Sequence, residues 1–178
     1  MQSIDIFPIR IFENYIEVPD SLTNGIREDI KDDTKYDTPI DWDGGVYSSF
    51  NYESKLLYGT KEHNQIIDNV IEIVKTTSPY NGFGDNFIYE YNMWWNYYTE
   101  GKYQEYHSHA NNILSGVWYL NDSNAHTVFC DRGLKHKVLP TKGKIVFFPS
   151  YLPHYVEPSD DERMTVSFNF QLSKHKLK

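Results

Sequence analysis

Two periodicities meet near residue 87 of this chain. Upstream of it, apolar residues mostly recur every three or four positions, which is the repeat of a helix with one buried face. Downstream they alternate with polar residues, which is the repeat of strands with one buried face. The first apolar stretch, IDIFPIRIF at 4–12, is an exception because it alternates. It carries Pro8, which cannot donate to a ladder, and so predicts an edge strand. Residues 18–33 place Val18, Leu22, Ile26 and Ile30 four apart behind Pro19, predicting a helix that Gly25 weakens. Residues 37–47, DTPIDWDGGVY, read as a turn-rich surface loop around Trp42. Ile66, Ile67, Val70, Ile71 and Val74 form the clearest stripe in the chain and predict a helix over 61–75. The segment SPYNGFGD then breaks the pattern.

From Phe87 the short alternating runs are FIYEYNMWWNYY, GKYQEYHSH, NILSGVWYLN, AHTVFCD, HKVLP, KIVFFPS, HYVEP and RMTVSFNFQL. Turns such as NDSN, RG and TKG separate them. Strands that follow two helices imply an α+β, mainly β chain. The β part is expected as a sandwich or closed barrel of jelly-roll type, with the N-terminal helices on one outer face. No repeat or linker interrupts it, so residues 1–178 are read as one domain. In that domain 1–86 would support a core at 87–171. The basic tail KHKLK is expected to fray.

Composition narrows the function classes. A net charge of −8 makes a nucleic-acid backbone a poor partner. The longest apolar runs are too short to cross a bilayer, and MQSIDIFPIR lacks the form of a secretory signal. A single cysteine, Cys130, permits no internal disulfide and suits a reducing compartment, so a soluble cytoplasmic protein is expected. Aromatic residues make up 16% of the chain, which favours β-structure and a pocketed interior.

The candidate chemistry lies between Tyr103 and Asn169. His107 and His109 are two apart on an expected strand and so should share a face. His154, after the proline bend FFPSYLP, would complete a three-ligand face for a divalent metal and leave positions open for substrate and oxygen. Glu105 has the same strand parity and is the alternative ligand. Arg163 opens the last strand, with Thr165 on the same face, and suits an acid because its planar fork binds a carboxylate through two hydrogen bonds. Taken singly, each of these residues has an ordinary structural reading. The histidine pair could sit on the surface, and Arg163 could pair with Asp161 or Glu162.

The segments YHSHANNILSGVWYLN and VLPTKGKIVFFPSYLPHYVEPSDDERMTVSFNF together resemble the double-stranded β-helix core of the Fe(II)- and 2-oxoglutarate-dependent oxygenases. The likeness is to the prolyl-4-hydroxylase-like branch. Within it, HxH-A-N, LSG and YL are similar to a family of 2-oxoglutarate oxygenases from marine bacteria and tailed phages. The resemblance implies Fe(II) held by His107, His109 and His154, with His109 where the superfamily usually has aspartate. Three neutral imidazoles leave the ion at +2, which a dianionic 2-oxoglutarate would balance. It further implies that Arg163, Thr165, Tyr119 and Tyr97 contact 2-oxoglutarate. The implied activity is O2-dependent hydroxylation of a small molecule or peptide side chain, with release of succinate and CO2. A homodimer is left open, and the setting would be the cytoplasm of a bacterium or phage-infected host. Two other readings stand beside it. One is a three-histidine cupin-type enzyme that does not use 2-oxoglutarate. The other is a non-enzymatic jelly-roll structural or binding protein.

Overall fold

The helical and alternating halves of the sequence separate in space in the computed structural model, which describes residues 9–32, 36–77, 88–109 and 111–173. The order is β1 (Phe12–Tyr15), α1 (Asp20–Asp32), β2 (Tyr47–Ser48), α2 (Lys61–Thr77), β3 (Ile88–Tyr98) and β4 (Gln104–His107). It continues with β5 (Leu114–Tyr119), β6 (Thr127–Asp131), β7 (Leu134–Val138), β8 (Lys144–Pro149), β9 (His154–Val156) and β10 (Arg163–Ser173). Every described strand pairing is antiparallel. A six-stranded sheet runs β1-β8-β5-β10-β3-β2 and a four-stranded sheet runs β4-β9-β6-β7. This is the double-stranded β-helix that the strand pattern and the resemblance led us to expect.

Both helices pack on the outer face of the larger sheet. Leu22 and Ile26 of α1, with Ile66, Val70 and Val74 of α2, share one core with Trp95, Trp118, Met164, Val166 and Phe168. Fully burying side chains of this size contributes roughly 1.5–3 kcal/mol each. Helix α1 starts directly after Pro19, with Asp20 in its first turn and Lys31 in its last, both favourable to the helix dipole. It runs through Gly25, where a Cβ would stand 2.8 Å from a Leu56 methyl group. The glycine that weakens helix propensity therefore admits a neighbouring turn. Helix α2 is capped by Thr60, whose Oγ1 accepts a hydrogen bond from His63 N at 3.1 Å.

Three sequence expectations shift. Residues 4–8 of the strand expected at 4–12 lie outside the described residues, and of the remainder only Phe12 is in a strand, as the first residue of β1. Ile9 and Ile11 instead lay their side chains on a core cluster without joining a ladder. The edge strand is β1, paired with β8 alone. The strand expected over 101–109 shrinks to Gln104–His107. A register irregularity between Gln104 and His107 and a turn closed by Asn112 N on His109 O, at 2.9 Å, use up the flanking residues. Within the loop expected at 37–47 and just beyond it, Tyr47 and Ser48 add the short strand β2 to the edge of β3. The RG turn behaves as read: Arg132 and Gly133 both take positive φ, at 46° and 81°, and close the β6–β7 hairpin.

Alternation along β10 divides the two environments. Met164, Val166, Phe168 and Phe170 enter the helix-side core. Arg163, Thr165, Ser167 and Asn169 line a cavity between the sheets. Gly44 brings the loop before β2 against the segment leading into β4, since a Cβ there would lie 1.7 Å from Tyr103 O. That contact helps fix the strand that carries His107.

Candidate metal and co-substrate site

Neighbouring strands and a turn bring the three histidines together. His107 and His154 are direct cross-strand partners on β4 and β9, with ring centroids 4.3 Å apart. His109 lies beyond the end of β4, so shared strand parity does not place it. A hydrogen bond from its backbone N to Ser150 O, 2.8 Å, turns its ring back toward the pair. Its ring centroid is 4.9 Å from that of His107 and 5.2 Å from that of His154. Ligand nitrogens of all three lie within 4.8 Å of one another. Glu105 lines the same cavity but stands outside this cluster, with its Oε2 buried and without a hydrogen-bond partner among the described residues.

The surroundings prepare these rings for a cation. Nδ1 of His107 lies 2.7 Å from Glu105 O, and Nδ1 of His154 lies 2.9 Å from Leu152 O. A carbonyl can only accept, so each Nδ1 carries the proton and leaves Nε2 as a lone-pair donor. Burial, reinforced by the neighbouring His107, lowers the pKa of His154 to about 3 and that of His109 to about 4. Neutral imidazoles at ordinary pH are the form that binds metal. This donor set could hold one divalent ion and fits Fe(II).

Deeper in the cavity, Arg163 is 1% exposed. Its Nη2 donates to Thr127 Oγ1 at 3.0 Å, while Nε and Nη1 have no hydrogen-bond partner among the described residues. The acids beside it in sequence are engaged elsewhere. Asp161 accepts from Ser123 and Ser159. Glu162 is held by Arg27 and by Tyr97 Oη, the latter at 2.9 Å. A buried guanidinium without a carboxylate is costly unless an anion reaches it, so this geometry calls for an acidic ligand. Tyr98 and Tyr119 stack around the guanidinium, with ring centroids 4.6 and 5.5 Å from Cζ. Burial raises the pKa of both phenols, that of Tyr119 to about 12, so they remain neutral. Tyr119 Oη donates to Thr127 Oγ1 at 2.8 Å. Thr127 thus accepts two hydrogen bonds, and its own O–H remains free to donate. Thr165 is buried in the cavity wall, accepting from Asn96 Nδ2 at 3.5 Å.

Tyr97 is not in this site. It pairs with Met164 in the β10–β3 register and faces the helices, whereas Arg163 pairs with Tyr98. Strand alternation therefore puts Tyr98 beside the arginine, one residue from the tyrosine expected there. Sequence reading also missed Thr127; its only sequence signal is the start of an alternating run, because the contact spans two sheets. Cys130 is half-buried.

Comparison with known proteins agrees with this geometry. Residues 130–169, which include His154 and Arg163, match the family described as "Putative 2OG-Fe(II) oxygenase". A prolyl-4-hydroxylase from Pseudomonas putida superposes with a TM-score of 0.62 at 17% identity, covering 90% of this chain and 91% of that one. A Trichoplax adhaerens prolyl hydroxylase, solved with a hypoxia-inducible-factor peptide, gives 0.62 at 12%, covering 90% and 83%. The carbocyclase SnoK of nogalamycin biosynthesis gives 0.59 at 9%, covering 92% and 79%. No curated protein sequence matches the chain. At these identities the superpositions establish the double-stranded β-helix fold. The family match is confined to residues 130–169, and the histidine triad is a donor set that fits iron.

Proposed function

We propose that this chain, whose fold and family match are those of the 2OG-Fe(II) oxygenases, is an O2-dependent dioxygenase that hydroxylates a small molecule or peptide side chain. His107, His109 and His154 would hold Fe(II) through their Nε2 atoms. Arg163, through Nε and Nη1, would take the distal carboxylate of 2-oxoglutarate, with the Thr127 hydroxyl as a further donor and Tyr98 and Tyr119 as walls. Thr165 lies close enough on the same face to support that end. When bound, the metal and 2-oxoglutarate supply the oxidative chemistry, in which one oxygen atom of O2 enters a substrate C–H bond and the other leaves in succinate, with CO2 released. The protein's own part is to bind, orient and exclude water. The reading includes a cytoplasmic setting, no nucleic-acid partner and room for a homodimer. Among the described residues no helix is long and apolar enough to cross a membrane.

One observation carries this reading: a buried arginine with two unpaired donors in the same cavity as three converging imidazoles. A cupin-type enzyme without 2-oxoglutarate would need the triad but not the free arginine, and a structural jelly roll would need neither. The test is anaerobic titration of the Fe(II)-loaded protein with 2-oxoglutarate, followed by exposure to O2 and assay of succinate. Saturable 2-oxoglutarate binding and O2-dependent succinate support the dioxygenase. Metal binding without either outcome supports the cupin-type reading, and no metal binding supports the structural one.

A further inference from the structure

The cavity that holds the triad and Arg163 has a volume of about 640 Å³. A five-carbon diacid occupies only part of a space in the range of drug-sized ligands. The remaining wall has a definite chemistry. A row of aromatic rings leads outward from the triad. Trp94 meets His109 edge-on at 6.3 Å, Phe50 meets Trp94 at 5.1 Å, and Trp42 meets Phe50 at 5.3 Å. At the rim the exposed side chains of Asp41 and Glu90 line the same cavity. Apart from the triad, Arg163 is the only basic residue among the described lining residues. Two charges on the iron match the two on 2-oxoglutarate, and Arg163 offsets only one of the carboxylates of Asp41, Glu90 and Glu105. The loaded cavity is thus net negative, and its aromatic faces present the negative side of their quadrupoles. A separate feature lies on the inner wall. Asn169 is 5% exposed and its Oδ1 accepts from Ser115 Oγ at 2.6 Å. Its NH2 group lines the cavity without a partner among the described residues.

We infer that the primary substrate is a cationic amino acid, free or as a residue of a peptide. Its ammonium or guanidinium group would lie along Trp42 and Phe50 toward Asp41 and Glu90, and a carbonyl or carboxylate oxygen would accept from Asn169 Nδ2. This rests on the dioxygenase reading and names the substrate class of the same site. The aromatic row both shapes the channel and attracts the cation, while the rim carboxylates steer it from solution. Asn169 supplies a donor on the inner wall, held in place by the hydrogen bond its Oδ1 accepts from Ser115, for a substrate oxygen to meet.

The test is calorimetry on the Fe(II)- and 2-oxoglutarate-loaded protein without O2. The probes are L-arginine, L-lysine, Nα-acetyl-L-lysine amide, L-norleucine and L-glutamate. At least one cationic probe is expected to bind about tenfold or more tightly than norleucine, a difference of about 1.4 kcal/mol, with glutamate weakest. That preference should shrink as salt rises and be lost in the Asp41→Asn/Glu90→Gln double variant, whose exposed positions leave the core intact. Asn169→Ala should weaken the cationic probe while 2-oxoglutarate still binds. Preference for the free lysine or for its blocked amide distinguishes the two sources. Charge-indifferent binding, or no probe binding to protein that does bind 2-oxoglutarate, overturns this inference alone. Failure to bind 2-oxoglutarate at all overturns the dioxygenase reading and this inference with it.

Discussion

At the scale of single residues, Arg163 is the most informative side chain, because it is buried with two donors that have no hydrogen-bond partner among the described residues. A charge-assisted pair contributes about 1.5–3 kcal/mol, or roughly tenfold to a hundredfold in affinity. Arg163→Met is therefore expected to weaken 2-oxoglutarate binding by about that factor in anaerobic calorimetry while leaving the metal bound. Tyr97→Phe should leave that affinity unchanged, because its hydroxyl serves Glu162 on the other face of the sheet. Among the histidines, His154→Ala is expected to abolish stoichiometric metal in elemental analysis, and His109→Asp to retain it. Retention of full metal by His109→Ala together with its loss in Glu105→Gln would move the ligand set to Glu105.

At the scale of elements, two contacts hold the site to its supports. Arg27 of α1 grips Glu162, and Tyr97 of β3 donates to the same carboxylate, so helix and sheet meet one residue before Arg163. The hydrogen bond from Arg27 is the main reason the Glu162 pKa falls below its ordinary value near 4.5, despite opposing desolvation. A carboxyl with a depressed folded pKa adds stability above its unfolded pKa and loses it as pH falls through the folded one. The stability gap between the native protein and Glu162→Gln, measured by urea unfolding, should therefore be widest near neutrality and close in acid. The second contact is Gly44 against Tyr103 O. Gly44→Ala places a methyl group on backbone that cannot rotate away, with an expected cost of about 1–3 kcal/mol by urea unfolding. It should also lower metal affinity, since the displaced segment leads into β4 and His107.

At the scale of the whole molecule, ligands that bind only the folded state stabilise it by mass action. Fe(II) with 2-oxoglutarate at a hundred times its dissociation constant should add about 2.7 kcal/mol, or roughly 5–10 °C for a chain of this size. Anaerobic calorimetric melting should show that shift in the native protein and lose it in His154→Ala. The order of elements, the α+β class and the helices at 20–32 and 61–77 were legible in the sequence because hydrophobic period is a local property. His107, His154 and Arg163 could be singled out by their spacing and by the family resemblance, whereas Thr127 and Tyr98 could not. The tertiary structure alone decided which tyrosine stands beside Arg163, because that depends on the β10–β3 register and a shift of one residue changes face. It alone placed His109, which reaches the triad through a turn held by Ser150. It alone freed Arg163, by sending its neighbouring acids to Arg27, Ser123 and Ser159. Each of these depends on partners distant in the chain, and local pattern carries no record of which distant group a side chain will meet.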